Sequence, residues 1–482
     1  MLNRQLKRKK FTFLSIFVIW LLVVVDVYFL LNNIESKDYK YLYLLPLSYA
    51  ISMSIFLPLI EKTCIYKRGV IYYLAQIVLA YRYLLLPLAC MYTEINGGWT
   101  ASATNGFGIE PKEESMFLAI LWMCSEIFVA ECTIYIAMKV IAKMENKRKL
   151  LIKNISLKEE FFKRSVLVKI YIICAFILLI VFQPQLFSQF MILDDNFSVG
   201  DNSADGSFFK VIFLAFKFCF LMIGFSFCAK KYKKGKNYIW LVISICFLII
   251  YIGYSIGISR WSMILPTIAS IVILKRIYNI PKMFIAIVMF IMFLGVLNMT
   301  YFKYGYLLDS NQNSIISIIL IVFQQSNEYI SGPRSIAQGL EMLDVYNNSI
   351  GISTFFNSFF SGFAGLASLT NDANKLQSFF NYYAIGIALE DKPLICPIII
   401  EGIAFFPIFP WIFICIFEFM ACILDYKSKV CLNYEDVFLI LYIGLWFSLC
   451  FNGNTKTEMA QLSQIIPCII LFKLNRIIGW KN

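Results

Sequence analysis

Apolar segments about as long as a membrane span alternate with short polar segments along most of the chain. A window of about 19 residues finds twelve of them. In lipid only a helix satisfies its own backbone groups, so each segment is predicted to be helical. The predicted spans are residues 11–31, 41–60, 70–91, 116–140, 166–182, 208–228, 238–258, 261–280, 283–300, 396–424, 437–451 and 459–472.

The composition agrees with an integral membrane protein. Of 482 residues, 60% are hydrophobic and 15% are charged, whereas a soluble domain is nearer half apolar and a quarter charged. Basic residues precede the first apolar segment and no small-residue cleavage pattern follows it, so it is predicted to be a retained span and not a signal peptide. We therefore expect an all-α polytopic membrane protein with about twelve transmembrane helices.

Basic residues are unevenly distributed between the two predicted sides of the membrane. With the N-terminus inside, Lys and Arg in the inner segments outnumber those in the outer segments about three to one. This predicts that both termini are cytoplasmic. The net charge of +13 is interpreted as a topology signal, and nucleic-acid binding is not predicted.

Two features of the composition exclude several kinds of site. The chain has no His, the commonest general base near neutral pH and the commonest metal ligand. Its 14 Cys residues lie mostly in apolar segments and never form a C-x-x-C pattern. The sequence therefore predicts neither a disulfide framework nor a metal site.

One outer segment, residues 301–395, is much longer than the others and separates the first nine spans (1–300) from the last three (396–482). A loop of this length is usually functional or disordered, and this one is too apolar to be disordered. The spacing of its aromatic run is that of one helix face, so we predict an amphipathic outer subdomain lying against the membrane. Two interpretations stay open: the aromatic face packs on the bundle, or it lines a substrate groove. The run consists of Phe355, Phe356, Phe359, Phe360 and Phe363.

Charges inside predicted spans usually mark function or pairing. Arg82, Glu126 and Lys217 are each predicted roughly 14 Å below the outer surface, at about 1.5 Å per helical residue. One interpretation is an Arg82–Glu126 ion pair that fixes helix packing. The other is a pocket that opens outward and receives an anionic group.

Two arginines and a carboxylate are the outer residues that could carry chemistry. Arg260 lies in a tight turn between two spans, and Arg334 follows a Gly-Pro break after Tyr329. The planar fork of Arg can hold two phosphate oxygens, so the pair could clamp a diphosphate. Glu401 lies about one and a half turns into a span, where it could be a general base or could brace the helix in an ion pair.

These features resemble the bacterial oligosaccharide repeat-unit polymerases, known as O-antigen or capsule polymerases. As architecture the resemblance covers nearly the whole chain: many spans, cytoplasmic termini, a hairpin with Ser259-Arg260, an Arg in the third span, and one large outer loop. Residues 397–402 and the aromatic, Pro-rich run to Trp411 are similar to the family's segment of a small residue, apolar residues and Glu after that loop.

The resemblance implies a GT-C-like membrane glycosyltransferase in the bacterial plasma (inner) membrane. It would polymerise lipid-diphosphate-linked oligosaccharide repeat units at the outer face, without a metal or other cofactor. Arg260 and Arg334 would hold the donor's diphosphate, and Glu401 would accept the proton of the attacking hydroxyl. The predicted substrate contacts are Arg82, Glu126, Lys217 and Tyr329.

The implied partners are a polyprenyl-diphosphate-linked oligosaccharide and membrane lipid, with a chain-length regulator and a flippase as further partners. A flippase or transporter of the same lipid-linked sugars is the main alternative function. Such carriers commonly show an internal repeat, whereas the two halves of this chain are dissimilar.

Overall fold

The structure is a computed structural model. The regular secondary structure of its described residues is helical. The structure describes residues 2–34, 39–63, 68–95, 109–148, 165–184, 187, 207–254, 260–278, 280, 330–363, 365–386, 394–431 and 433–479, with isolated positions between 283 and 295. No strand occurs among these residues.

Sixteen helices are numbered here in chain order. The third continues through a π-helical turn, Tyr81–Leu85, into the fourth. The helices are α1 Leu2–Asn33, α2 Leu44–Thr63, α3 Val70–Ala80, α4 Leu86–Ile95, α5 Glu113–Arg148, α6 Val166–Phe182, α7 Ser207–Gly235, α8 Ile239–Gly253, α9 Arg260–Tyr278, α10 Pro333–Tyr346, α11 Ile352–Phe360, α12 Leu376–Ile385, α13 Ile398–Phe405, α14 Ile412–Val430, α15 Tyr434–Phe447 and α16 Thr455–Gly479.

Six helical segments are long and apolar enough to cross a membrane, which agrees with a membrane-embedded protein. Helices α6 and α8 are apolar but shorter. The six segments are Thr12–Asn33, Leu44–Thr63, Val70–Thr93, Glu113–Glu145, Val211–Gly235 and Thr455–Ile478. The total of twelve spans remains a prediction, because only six segments of the described chain meet these criteria and the predicted ninth span lies mostly outside the described residues.

Helix α5 is central to the packing, with α2, α10 and α14 along its length. Helix α14 also contacts α3 and α15, while α16 packs against α6, α7 and α15. The four helices α3, α5, α14 and α15 thus form a contiguous group, and this group holds most of the buried carboxyl groups.

Helices α10–α13 cover one end of the bundle, called here the capped end. The backbone N–H of Lys112, just before α5, donates to Glu341 Oε1 of α10 at 2.7 Å. Ser463 of α16 donates to the carbonyl of Gly362, just after α11, at 3.3 Å. The distribution of basic residues predicts that this is the outer end.

The predicted span 396–424 is divided into two helices. Helix α13 ends at Phe405 and α14 begins at Ile412. The intervening residues include Pro407 and Pro410, which lack a backbone donor and disfavour a continuous helix. Glu401 therefore lies in a short helix of eight residues at the capped end.

The aromatic helix α11 has its polar side facing inward. Thr354 and Ser358 are buried: the Thr354 hydroxyl donates to Asn374 Oδ1 at 2.7 Å, and Ser358 Oγ accepts from the Leu376 N–H at 3.0 Å. Phe356 and Phe360 are exposed and stack at 5.8 Å. Phe363 lies beyond the end of α11, so the predicted single helix face holds for four of the five phenylalanines.

Candidate functional site

Glu401 lies against the first turn of α16. Its Oε2 accepts a hydrogen bond from the backbone N–H of Thr455 at 2.8 Å, and only 2% of the residue is exposed. A carboxylate is stabilised at this position by the free N–H groups and the dipole of the helix. Glu401 thus braces the N-terminus of α16 through a backbone hydrogen bond. The ion pair with a basic residue, which was the structural alternative, is not found among the described residues.

Asn454 and Gln377 complete this junction. Asn454 Oδ1 accepts from the backbone N–H of Thr457 at 2.9 Å, the usual bond of an N-cap residue. Asn454 Nδ2 donates to Gln377 Oε1 at 2.8 Å, and the same oxygen accepts from the Cys396 N–H at 2.9 Å. Gln377 Nε2 donates to the carbonyl of Leu394. One amide therefore joins α12, the segment before α13, and the start of α16.

Two lysines lie beside this junction. Lys375 is buried and forms an ion pair with the exposed carboxylate of Asp372. Lys456, the second residue of α16, lies within electrostatic range of both Lys375 and Asp372. Two ammonium groups near each other at a helix N-terminus favour an anionic group, and the exposed Asp372 carboxylate is the anion near both of them here.

Helix α11 connects this junction to aromatic surface. Phe355 contacts Phe405 and Phe406 at ring distances of 5.2 and 5.9 Å, so α11 packs on the end of α13. At its other end, a Cβ on Gly362 would collide with the backbone carbonyl of Lys456. The packing interpretation of the aromatic run thus holds for Phe355, whereas Phe356 and Phe360 are exposed and the substrate groove stays a prediction.

These residues form the α16 N-terminal site: Glu401, Thr455, Lys456, Lys375 and Asn454. Only Glu401 among them was singled out from the sequence. Lys375 and Lys456 are 81 positions apart, and each resembles an ordinary basic residue of an outer segment. The only sequence signal that could have found them is their rarity, because few basic residues lie on the predicted outer side.

Arg334 is buried between α10 and the segment before α5. Its Nη2 donates to the carbonyl of Ile109 at 3.3 Å, and the neighbouring Gln338 Nε2 donates to the same oxygen at 2.7 Å. Burial lowers the pKa of Arg334 from its ordinary value, and the nearby groups Tyr39 and Glu110 act in the opposite direction. With 1% of its surface exposed, Arg334 packs the capped end together in this structure.

Arg82 and Glu126 form the ion pair that was one of the two sequence interpretations. Arg82 Nη2 lies 2.8 Å from Glu126 Oε2, and both side chains are buried. The Arg82 guanidinium also stacks on the ring of Phe451 at 4.7 Å. Arg82 lies in the π-helical turn, a feature often found at functional sites.

The other predicted contacts lie elsewhere or outside the described side chains. Lys217 Nζ donates to the carbonyl of Tyr254 and lies 4.6 Å from the Tyr251 ring, so it joins α7 to α8. Arg260 begins α9, but its side chain is outside the described residues, as is the whole of Tyr329. Their predicted roles in binding remain predictions.

Glu418 and Glu458 are buried carboxyls that the sequence analysis did not single out. Glu418 of α14 is 3.9 Å from the Cys450 thiol, and Glu458 lies in the first turn of α16. Arg82, Glu126, Glu418 and Glu458 all interact electrostatically with Cys450. These five residues are called the buried acid cluster. Glu418 could have been found by the rule that identified Glu126, a charge inside an apolar segment.

Neither the cysteines nor the acids form a covalent or metal centre in the described part of the chain. The 13 cysteines described there are free, and no group of three His, Cys, Asp or Glu side chains is placed to hold a metal ion. Searches for similar proteins give no matching family model, no matching curated protein and no matching solved structure.

Proposed function

We propose that this chain is a membrane glycosyltransferase that polymerises lipid-diphosphate-linked oligosaccharide repeat units, with its chemistry at the α16 N-terminal site. The observation that supports this best is a buried carboxylate, Glu401, which accepts a hydrogen bond from the first turn of α16, the turn that holds Lys456 near Lys375. The reaction needs both kinds of group: a base for the acceptor hydroxyl and cations for the departing diphosphate.

In this proposal each group has a defined role. Glu401 accepts the proton of the attacking sugar hydroxyl while the bond between the donor sugar and its diphosphate breaks. Lys375, Lys456 and the N-terminus of α16 stabilise the negative charge that grows on the diphosphate. Arg260 remains a predicted further contact to that group, while Arg334 packs α10 against the segment before α5.

The exposed rings of α11 supply a surface for the sugars. Phe356 and Phe360 stack in parallel and belong to a helix that contacts α16 and, through Phe355, the end of α13. Flat aromatic faces suit the apolar faces of sugar rings. Holding two lipid-anchored chains in register beside Glu401 would supply much of the rate enhancement.

The test replaces Glu401 by Gln in cells that make the polysaccharide and lack the native chain. Gln keeps an oxygen that can accept from the Thr455 N–H, so the helix cap is preserved while the base is removed. We expect elongated polymer to be lost, single lipid-linked units to remain, and the protein level to be unchanged. Glu435→Gln, at the far end of the bundle, is the control and should retain elongation. Long polymer in the Glu401→Gln strain would contradict the proposal.

A flippase for the same lipid-linked sugars is the second candidate function. The buried acid cluster favours it, because ionisable groups inside a membrane protein often line a transport pathway. The two functions differ in where the substrate accumulates after the protein is lost. A flippase leaves lipid-linked units in the cytoplasmic leaflet, whereas a polymerase leaves single units in the outer leaflet.

A further inference from the structure

The buried acid cluster contains more carboxyl groups than its cation can neutralise. Arg82 forms an ion pair with Glu126 alone, while Glu418 and Glu458, also on helices at the core, form no ion pair among the described residues. Their exposed fractions are 0% and 1%. An ionised carboxylate without a partner is very costly to bury, and such a group becomes neutral by taking up a proton.

The elements packed around the cluster bring several titratable and charged groups toward it. The facing groups are Arg82 of the π-helical turn, Glu126 and Glu131 of α5, Glu418 of α14, Cys450, and Glu458 of α16. Glu131 accepts from Gln76 Nε2 at 2.8 Å and interacts electrostatically with Arg68, which is itself paired with Glu61. Tyr49 faces Glu131, and Tyr83 faces the Arg82–Glu126 pair. None of these groups supplies a cation to Glu418 or Glu458.

A second observation, independent of the carboxyls, is that other buried polar atoms in and beside the cluster lack a hydrogen-bond partner among the described residues. Nε and Nη1 of Arg82 are buried and have no hydrogen-bond partner among the described residues, although the side chain is 1% exposed. The amide nitrogen and oxygen of Asn452, next to Phe451, are likewise buried and unpartnered. Buried polar atoms in such numbers are normally satisfied by internal water.

Carboxyl oxygens of the cluster also lack hydrogen-bond partners. Glu126 Oε1, Glu418 Oε2 and Glu458 Oε2 are all buried without a hydrogen-bond partner in the described part of the chain. A Cβ on Gly453 would approach Glu458 Oε1 at 3.3 Å, so Gly453 leaves room beside this carboxyl. Donors and acceptors are thus present together, as a chain of water molecules requires.

We propose that Glu418 and Glu458 form a proton-binding site inside the bundle, in which both carboxyl groups are neutral at physiological pH and exchange their protons through the polar atoms around Cys450. The ligand is a proton, because each carboxyl is buried without a counter-ion among the described residues and becomes neutral by binding one. The site is separate from the chemistry proposed at Glu401, and it would serve a transporter as well as an enzyme.

Infrared spectroscopy of the purified full-length protein tests this proposal without any substrate. At neutral pH we expect the carbonyl band of protonated carboxylic acids, and we expect it to shift in D2O because the protons exchange. Glu418→Gln and Glu458→Gln should each reduce the band, and the double variant should reduce it further. Glu61→Gln, which alters a carboxylate paired with Arg68 near the surface, is the matched control and should leave the band unchanged.

Three results would overturn the proposal. A band unchanged in both Gln variants would show that these carboxyls are ionised. A band that does not shift in D2O would show that the protons do not exchange. Gln has the shape of a neutral carboxyl group, so a failure of both variants to fold would show that the native protein needs the ionised form. Failure of the Glu401→Gln test would leave this result unaffected, because the spectra are recorded without a reaction.

Discussion

Two polar regions near the start of α16 differ in how their groups are partnered. At the α16 N-terminal site, Glu401, Asn454 and Gln377 bond to backbone groups or to each other. In the buried acid cluster, several oxygens and nitrogens have no partner among the described residues. The first region thus resembles a structural joint with a carboxylate built into it. The second resembles a site whose groups are completed by protons and water.

The comparison shows that burial alone does not define the role of an acid. Glu401 and Glu418 are almost equally buried. Glu401 receives the N–H of a helix terminus, which stabilises its charged form, whereas the contact of Glu418 is a thiol. The difference in partners, and not in depth, separates a candidate base from a candidate proton carrier.

The largest effect is expected from Arg82→Met. This change leaves Glu126 buried without its counter-ion, which typically costs about 3–5 kcal/mol. We expect a strongly lowered midpoint of thermal unfolding in detergent. Because Arg82→Met/Glu126→Gln removes both charges, the double variant should be more stable than Arg82→Met alone. A loss in the double variant equal to the sum of the losses of Arg82→Met and Glu126→Gln would mean that the pair is not coupled.

A smaller loss is expected from Gly402→Ala, next to Glu401. The added methyl group would collide with the carbonyl of Pro410, a backbone atom that cannot rotate away. Overpacking of this kind costs about 1–3 kcal/mol, and unfolding in detergent should report it. Gly351→Ala is the control, since a Cβ there meets no atom within 4 Å. Equal stability of the two variants would mean that α13 can shift away from the turn before α14.

Asn454→Ala should lower the stability by less than Gly402→Ala does. The change removes the N-cap bond of α16, worth about 0.5–2 kcal/mol, and the contact to Gln377. Asn433→Ala gives the comparison, because Asn433 occupies the N-cap position of α15 without a side-chain capping bond. The thermal midpoint should fall further for Asn454→Ala than for Asn433→Ala, and the reverse order would contradict the structural role of the junction.

The smallest effect is expected from Glu418→Gln at neutral pH. If the native carboxyl is already neutral, the replacement keeps both shape and charge, and the change should be below about 1 kcal/mol. A loss of stability as large as that of Arg82→Met would mean that the native carboxyl at position 418 is ionised. The thermal midpoint, measured beside the Arg82→Met variant in the same detergent, decides between these outcomes.

Much of the fold follows from local pattern. The predicted span 166–182 coincides with α6, and α2, α5 and α7 contain most of spans two, four and six. Hydropathy succeeds here because a membrane span is defined by its own residues. It is less informative where proline interrupts a span, as between α13 and α14, and where a polar helix face is buried, as at Thr354 and Ser358.

The candidate site was predicted only in part. Depth along each helix placed Arg82 and Glu126 in one layer, and the structure joins them. The same argument included Lys217, which instead contacts Tyr251 and Tyr254. Residue spacing gives depth along one helix, but it does not say which helices are neighbours.

The amino-acid sequence by itself determined that this is a helical, apolar chain suited to a membrane, and it identified the charges that need an explanation there. Tertiary structure alone decided that Glu401 meets Thr455, that Lys375 approaches Lys456, and that Glu418, Glu458 and Arg82 all lie within electrostatic range of Cys450. The physical reason is that hydropathy and helical period depend on neighbours along the chain. The partner of a buried charge depends on which helices pack together.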